Sequence, residues 1–150
     1  MSGSLEIQAE RAPLFCTGQM DLGIRDKFAL VTGGSHGIGR AIALALAAEG
    51  CNVAICARNA ERVRQTTKEI EARGVAGVGI SADVMALADI EHVMGTVVRS
   101  WGTIHILINN VGGGGRWGSD RVEETSEEAW LDVYNKNALA EIRFTMRFVP

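Results

Sequence analysis

The sequence predicts an α/β fold: a doubly wound parallel sheet of four strands, in the spatial order 3-2-1-4, with helices on both faces. Two observations lead to this prediction. The candidate strands are short runs that are apolar throughout, which is typical of strands buried on both faces of a sheet. Segments with helical spacing of apolar residues separate them, so we expect each strand to reach the next through a right-handed helical crossover.

Strands and helices alternate from Lys27 onward. Strands are predicted at residues 28–32, 52–57, 75–81 and 104–108, where apolar runs lie between glycine or polar residues. Helices are predicted at residues 37–49, 59–74 and 90–101. Gly50 and Gly74 are expected to end the first two helices, and Asn59 is expected to cap the second.

The spacing of apolar residues predicts which face of each helix is buried. On the first helix these residues are Ile38, Ile42, Ala45 and Leu46, and on the second they are Val63, Thr67 and Ile70. The third helix has the longest apolar stripe, formed by Ile90, Val93, Met94, Val97, Val98 and Trp101.

A final helix is predicted to run to about Phe148. The segment Thr125-Ser126-Glu127-Glu128 has the pattern of a capping box, in which Thr125 and Glu128 satisfy each other's backbone N–H groups. Tyr134, the one tyrosine of the chain, is expected to be a packing residue of this helix.

Composition limits the classes of protein that fit. Residues 1–19 mix charged, small and isolated apolar residues without a period, so they are predicted to be a disordered or extension segment before one domain at 20–150. A formal charge of −3 favours neither nucleic acid nor an anionic membrane as partner. The three cysteines lack the paired spacing of a zinc site, and no metal site is predicted. Without an evident signal peptide or membrane span, a cytoplasmic location is expected.

A glycine-rich loop joins the first strand to the first helix. Its glycines Gly33, Gly37 and Gly39 have the spacing G-x-x-x-G-x-G. Glycine permits a tight turn and a close approach of the backbone to a pyrophosphate, which the N–H groups at the start of a helix then bind. A Walker loop is excluded because Arg40-Ala41 stands where Lys-Ser/Thr is required.

The loop and three later motifs resemble the classical short-chain dehydrogenase/reductase family. The loop is similar to the family's TGxxxGxG signature, and Asp83-Val84 resembles the pair that contacts adenine there. The segment Asn109-Asn110-Val111-Gly112 is similar to the NNAG motif, with valine in place of alanine. Asn137, seven residues after Trp130, matches the family's active-site asparagine. The resemblance covers about residues 24–150 and implies a Rossmann-type domain.

The resemblance also implies a set of cofactor-binding residues: Gly33, Ser35, His36, Gly37, Ile38, Gly39, Arg58, Asn59, Asp83, Val84, Asn109, Asn110, Val111 and Gly112. Several of them have structural alternatives. Asp83 can cap a turn, and Asn109 and Asn110 can satisfy neighbouring backbone groups. Asn137 lies in the middle of the predicted last helix, where asparagine is locally unfavourable, and this favours a functional role.

The end of the second strand indicates NADP(H) rather than NAD(H). NAD-binding domains place a carboxylate there for the ribose 2′-hydroxyl, whereas this chain has Cys56-Ala57-Arg58-Asn59. Arg58 can pair with a 2′-phosphate. His36 occupies a position that is often basic in NADP-preferring members of the family, and a cation at a helix N-terminus is otherwise unfavourable. For both residues the alternative is a solvated surface side chain.

The implied reaction is hydride transfer between the nicotinamide and a carbonyl or alcohol carbon of a small molecule. In the family, a serine and a Tyr-x-x-x-Lys pair follow the active-site asparagine. Tyr134 precedes Asn137 and has Ala138 four residues later, so Asn137 is the only member of the catalytic set within residues 1–150.

Two functional interpretations follow from this pattern. The chain is expected to be the cofactor-binding, N-terminal portion of an NADP(H)-dependent oxidoreductase, inactive on its own and homo-oligomeric when complete. The alternative is a non-catalytic NADP(H)-binding module from a truncated member of the family.

Overall fold

The computed structural model describes residues 21–113 and 121–148, and the predicted segment 1–19 lies outside this part of the chain. One sheet contains β1 (Phe28–Thr32), β2 (Asn52–Ala57), β3 (Gly77–Ser81) and β4 (Ile106–Ile108). Its strand order is β3-β2-β1-β4, and every neighbouring pair is parallel. The predicted fold class and strand order are therefore confirmed.

Helices connect the strands and continue beyond β4. They are α1 (Gly37–Ala48), α2 (Ala60–Glu71), α3 (Leu87–Trp101), α4 (Glu127–Tyr134) and α5 (Ala140–Phe148). A 3₁₀ turn at Val122–Glu124 precedes α4, and a π-helical turn at Asn135–Leu139 joins α4 to α5. None of the helices in the two described ranges is long and apolar enough to span a membrane.

The central strands divide the core into two layers, because successive side chains of a strand point to opposite faces. On one face, Leu30 of β1 and Cys56 of β2 pack with α3 and α5, whose buried residues include Val93 and Phe144. On the other face, alternate residues of the same strands pack with α1 and α2 in a cluster that contains Val31, Ile55, Ala43 and Ile70. Burial on both faces explains why these strands are apolar throughout.

The buried face of α1 differs from the prediction. Gly39, Ala43 and Ala47 face the sheet, while Ile38 is 74% exposed and Ala45 is exposed. The predicted residues Ile42 and Leu46 are half-buried at the margin of the core. The stripe of α1 that faces the sheet therefore consists of small side chains, and the larger apolar side chains lie at its margin or in solvent.

Two smaller corrections concern α2 and α3. The buried residues of α2 are Val63, Thr66 and Ile70, so Thr66 replaces the predicted Thr67. Thr67 is half-buried and its hydroxyl donates to the Val63 carbonyl oxygen (2.8 Å). The predicted stripe of α3 is buried from Ile90 to Val97, but Val98 is 46% exposed.

Both outer strands begin two residues later than predicted. Before β3, the Ala76 N–H donates to the Asn52 side-chain oxygen (2.9 Å) rather than to a backbone carbonyl oxygen. Before β4, the Phe28 N–H donates to Nδ1 of His105 (3.1 Å). In each case a side chain takes the hydrogen bond that would have extended the ladder.

The predicted capping box is wrong by one residue. Ser126 is the N-cap of α4 and its hydroxyl accepts from the Ala129 N–H (3.3 Å), whereas the Thr125 hydroxyl donates to the Arg121 carbonyl oxygen (3.0 Å). Ala129 therefore stands where a capping box needs Glu or Gln. Tyr134 is 54% exposed, so the structure does not support its predicted packing role within the described residues.

Candidate cofactor site

A cavity of about 660 Å³ lies at the carboxyl ends of the strands, between the loops that follow β1, β2, β3 and β4. In a doubly wound sheet this is the edge at which ligands bind. All the predicted cofactor residues except Asn109 line it. The full lining is Gly33, Ser35, His36, Gly37, Ile38, Gly39, Ala57, Arg58, Asn59, Arg62, Ala82, Asp83, Val84, Met85, Asn110, Val111, Gly112 and Lys136.

The loop after β1 has the geometry that its glycines predict. Gly33 and Gly37 adopt positive φ angles of 67° and 55°, a region that favours glycine. A Cβ at Gly39 would collide with the Gly33 carbonyl oxygen and the Asn110 side-chain amide. At Gly34 it would lie 2.5 Å from Cγ2 of Ile55. Glycine at positions 34 and 39 therefore lets the loop and the start of α1 pack closely, whereas the space beside Gly37 is open, with nothing within 4 Å of an added Cβ. Since the loop also lines the cavity, it fits a dinucleotide pyrophosphate.

Thr32, a residue that the sequence analysis did not single out, fixes the loop after β4 against the loop after β1. Its buried hydroxyl accepts from the N–H groups of Asn110 (2.9 Å) and Val111 (3.2 Å). The Asn110 side-chain amide in turn donates to the Thr32 carbonyl oxygen (3.1 Å). Asn110 therefore both lines the cavity and satisfies backbone groups. In the sequence, the only indication of this contact was a threonine at the end of a predicted strand.

Asn109 lies outside the cavity. Its side-chain amide donates to the Thr145 hydroxyl (3.2 Å), which ties the loop to α5. Its Oδ1 is buried and has no hydrogen-bond partner in the described part of the chain. Within the described residues, the Asn109 side chain therefore neither lines the cavity nor satisfies neighbouring backbone groups, and its hydrogen bond goes to another side chain.

Asp83 both lines the cavity and stabilises a turn. Its carboxylate accepts from the Met85 N–H (3.0 Å), and its own N–H donates to the Asp89 carboxylate (2.7 Å). The neighbouring Val84 is buried against the core cluster that contains α3. The turn holds both residues at the cavity wall.

Positive charge predominates around the cavity. The cationic or basic side chains that line it are His36, Arg58, Arg62 and Lys136, against one carboxylate, Asp83. Arg62 and Lys136 were missed by the sequence analysis, because Arg62 lies within a helix and Lys136 becomes a neighbour of the cavity only through the fold. The excess of positive charge suits a ligand with several phosphates.

Asn137 lies in the π-helical turn, beside the cavity rather than in its wall. Its Oδ1 accepts from the Gly113 N–H (3.0 Å), and its amide donates to the Val133 carbonyl oxygen (2.9 Å). The side chain thus connects the loop after β4 to the last helices. Such turns occur frequently at functional sites.

Cys56 lies beneath the glycine loop at the end of β2. Burial raises the pKa of its thiol to about 12, and a hydrogen bond from the Gly33 backbone opposes this rise only in part. A thiol with so high a pKa is neutral at physiological pH and is not an activated nucleophile. No cluster of three potential metal ligands occurs in residues 21–113 and 121–148.

The chain belongs to the short-chain dehydrogenase family, whose family model matches residues 27–150. It is 37% identical over 126 residues to a 3-oxoacyl-(acyl-carrier-protein) reductase of Staphylococcus epidermidis, covering 83% of this chain and 50% of that protein. The chain thus spans about half the length of the curated relatives that it matches.

Solved structures of relatives have the same fold. L-sorbose reductase from Gluconobacter frateurii, complexed with NADPH and L-sorbose, has a TM-score of 0.82 at 32% identity, over 87% of this chain and 49% of that one. Actinorhodin polyketide ketoreductase with NADPH has a TM-score of 0.75 at 38% identity, over 83% and 46%. Similar structures with NAD bound also occur, at 25% and 27% identity. The fold alone therefore does not distinguish the two cofactors.

Proposed function

We propose that this protein is an NADP(H)-dependent oxidoreductase of carbonyl or alcohol substrates, and that residues 20–150 form its cofactor-binding portion. The observation that carries the proposal is the end of β2, where Arg58 lines the cavity and no carboxylate occupies the position used for an NAD ribose. The NADPH-bound relatives support the same choice. When bound, the cofactor supplies or accepts the hydride.

Each part of the site has a distinct task in this proposal. The loop that contains Gly33, Gly37 and Gly39 lines the cavity and presents the N–H groups at the start of α1 to the pyrophosphate. The Asp83-Val84 turn forms the adenine side of the cavity. Asn137 holds the loop after β4 through Gly113, and we assign to it the role of the family's active-site asparagine.

The cofactor assignment is tested by the substitution Arg58→Ala. Arg58 is exposed, so solvent weakens its pairing, and we expect the Kd for NADPH to rise about tenfold with the Kd for NADH unchanged. Fluorescence titration of both dinucleotides measures this selectivity. Arg64→Ala is the matched control, because Arg64 lies outside the cavity and pairs with Glu61. An equal loss of affinity for both dinucleotides would contradict the assignment.

The oxidoreductase assignment is tested on the full-length natural protein. NADPH consumption is measured against ketones that include a β-ketoacyl thioester and a ketose, the substrate types named in the relatives. Turnover of at least one carbonyl substrate is the expected result. Tight NADPH binding without turnover across the panel would instead favour the non-catalytic binding module.

A further inference from the structure

We propose that Arg62 is a second ligand of the cofactor's 2′-phosphate and therefore a determinant of cofactor specificity alongside Arg58. This inference rests on the proposed NADP(H) function.

The fold brings Arg62 to the same end of the cavity as Arg58. Arg58 follows the last residue of β2, and Arg62 lies four residues later in the first turn of α2. Both side chains line the cavity. Between them, Asn59 caps α2 by accepting from the Arg62 N–H (2.9 Å), which fixes the backbone from which the Arg62 side chain extends.

The neighbouring arginines differ from this pair in their partners. Arg64 on α2 pairs with Glu61, and Arg40 on α1 pairs with Glu69. The guanidinium groups of Arg58 and Arg62 form no hydrogen bond or ion pair within residues 21–113 and 121–148. Since the closest acidic residue in sequence, Glu61, already has a cation, Arg62 is available to an anion that enters the cavity.

The chemistry of the ligand follows from this arrangement. A 2′-phosphate carries nearly two negative charges and presents several acceptor oxygens, so it can receive hydrogen bonds from two guanidinium groups at once. The 2′-hydroxyl of NAD(H) carries no charge and gains little from a second cation. Arg62 should therefore increase affinity for phosphorylated adenosine and leave affinity for the unphosphorylated form nearly unchanged.

The test compares Arg62→Gln, Arg58→Ala, the double variant and Arg64→Gln as control in the full chain. Affinities for NADPH, NADH, 2′,5′-ADP and 5′-AMP are measured by titration. For Arg62→Gln we expect the affinity for NADPH and 2′,5′-ADP to weaken about three- to tenfold. The affinity for NADH and 5′-AMP should change by less than about twofold. The dependence of the NADPH Kd on salt should also become shallower. Arg64→Gln should change none of these values.

The outcomes separate this inference from the function on which it rests. If Arg58→Ala is selective against NADPH but Arg62→Gln is silent, or weakens both dinucleotides equally, Arg62 is a solvated surface residue and the inference fails alone. If Arg58→Ala is not selective, the NADP(H) assignment itself fails. Circular dichroism of the variants identifies any loss of affinity that comes from misfolding.

Discussion

Gly39 shows how little room the backbone leaves beside the cavity. It is buried in the first turn of α1, and a Cβ there would meet backbone and amide atoms rather than a flexible side-chain end. The same residue thus determines how closely the start of α1 packs against the loop after β1 and the loop after β4. The glycine spacing predicted a need for glycine here on the ground that the backbone approaches a pyrophosphate, whereas the contact that the structure shows is with Gly33 and Asn110.

The substitution Gly39→Ala should therefore weaken both packing and cofactor binding. We expect the free energy of unfolding to fall by about 1–3 kcal/mol, because the loops after β1 and β4 must shift. NADPH affinity should fall as well. Gly95→Ala on α3 is the control, since its Cβ meets mainly the end of the Arg99 side chain. Urea denaturation and NADPH titration measure the two effects, and an unperturbed Gly39→Ala variant would contradict the close-packing argument.

Other site residues were not predictable at this scale. Arg62 and Lys136 carry no motif, and only the fold brings them to the cavity. Thr32 resembles any strand-end threonine until the loop after β4 is placed beside it. Conversely, Asn109 belongs to a motif, yet its amide points to Thr145 outside the cavity. The sequence identifies the residues of a motif, whereas the direction in which each side chain points depends on neighbours far along the chain.

Among the secondary-structure elements, the last helix departs most from its sequence prediction. One continuous helix was expected, but α4 ends at Tyr134 and a π-helical turn precedes α5. A π turn adds one residue to the helical repeat, and apolar spacing over so short a segment does not reveal it. Asn137, locally unfavourable in a regular helix, was the available signal and lies within this turn.

The turn gives a prediction for Asn137. In Asn137→Ala, the hydrogen bonds to the Gly113 N–H and the Val133 carbonyl oxygen are both lost, and we expect a loss of stability of about 1–3 kcal/mol. In Asn137→Asp, the acceptor for Gly113 remains while the donor to Val133 is lost.

Hydrogen exchange distinguishes the two variants. Exchange should accelerate at Gly113 and in the turn at Asn135–Leu139 for the alanine variant, but mainly in the turn for the aspartate variant. Unchanged exchange at Gly113 in the alanine variant would show that the Asn137 side chain does not hold this loop.

For the whole molecule, the sequence predicted the architecture well because burial on both faces imposes a uniform pattern on β1 and β2. The outer strands were predicted less well at their ends, since the Asn52 and His105 side chains accept hydrogen bonds from the N–H groups of Ala76 and Phe28 there. The buried face of α1 was predicted wrongly, because the prediction placed the large apolar side chains against the sheet. The helix in fact packs through its small residues, such as Gly39 and Ala43.

Global stability should depend on pH through Cys56. The pKa of this thiol rises from its ordinary value of 9.0 to about 12 in the fold, so the folded state holds the thiol proton more tightly. This contribution to stability is fully present below pH 9.0 and is lost as the pH rises toward 12. The difference in unfolding free energy between the wild type and Cys56→Ala should shrink across this window, by on the order of 1 kcal/mol per pH unit.

Urea denaturation of both proteins at several alkaline pH values measures this difference. The cavity created by the alanine is the same at every pH, so only the thiol contributes to the change. A constant difference from neutral to alkaline pH would show that the Cys56 thiol titrates normally in the folded protein.

The position of β1 in the sheet also sets an order of events during synthesis. β1 pairs with β2 on one side and with β4 on the other, and 77 residues separate Phe28 from its partner His105. At about 5–20 residues per second, a ribosome needs roughly 4–15 s to make that intervening chain. Throughout this interval one edge of β1 in the nascent chain has no partner strand. β4 can pair with β1 only after Ile108 has left the exit tunnel.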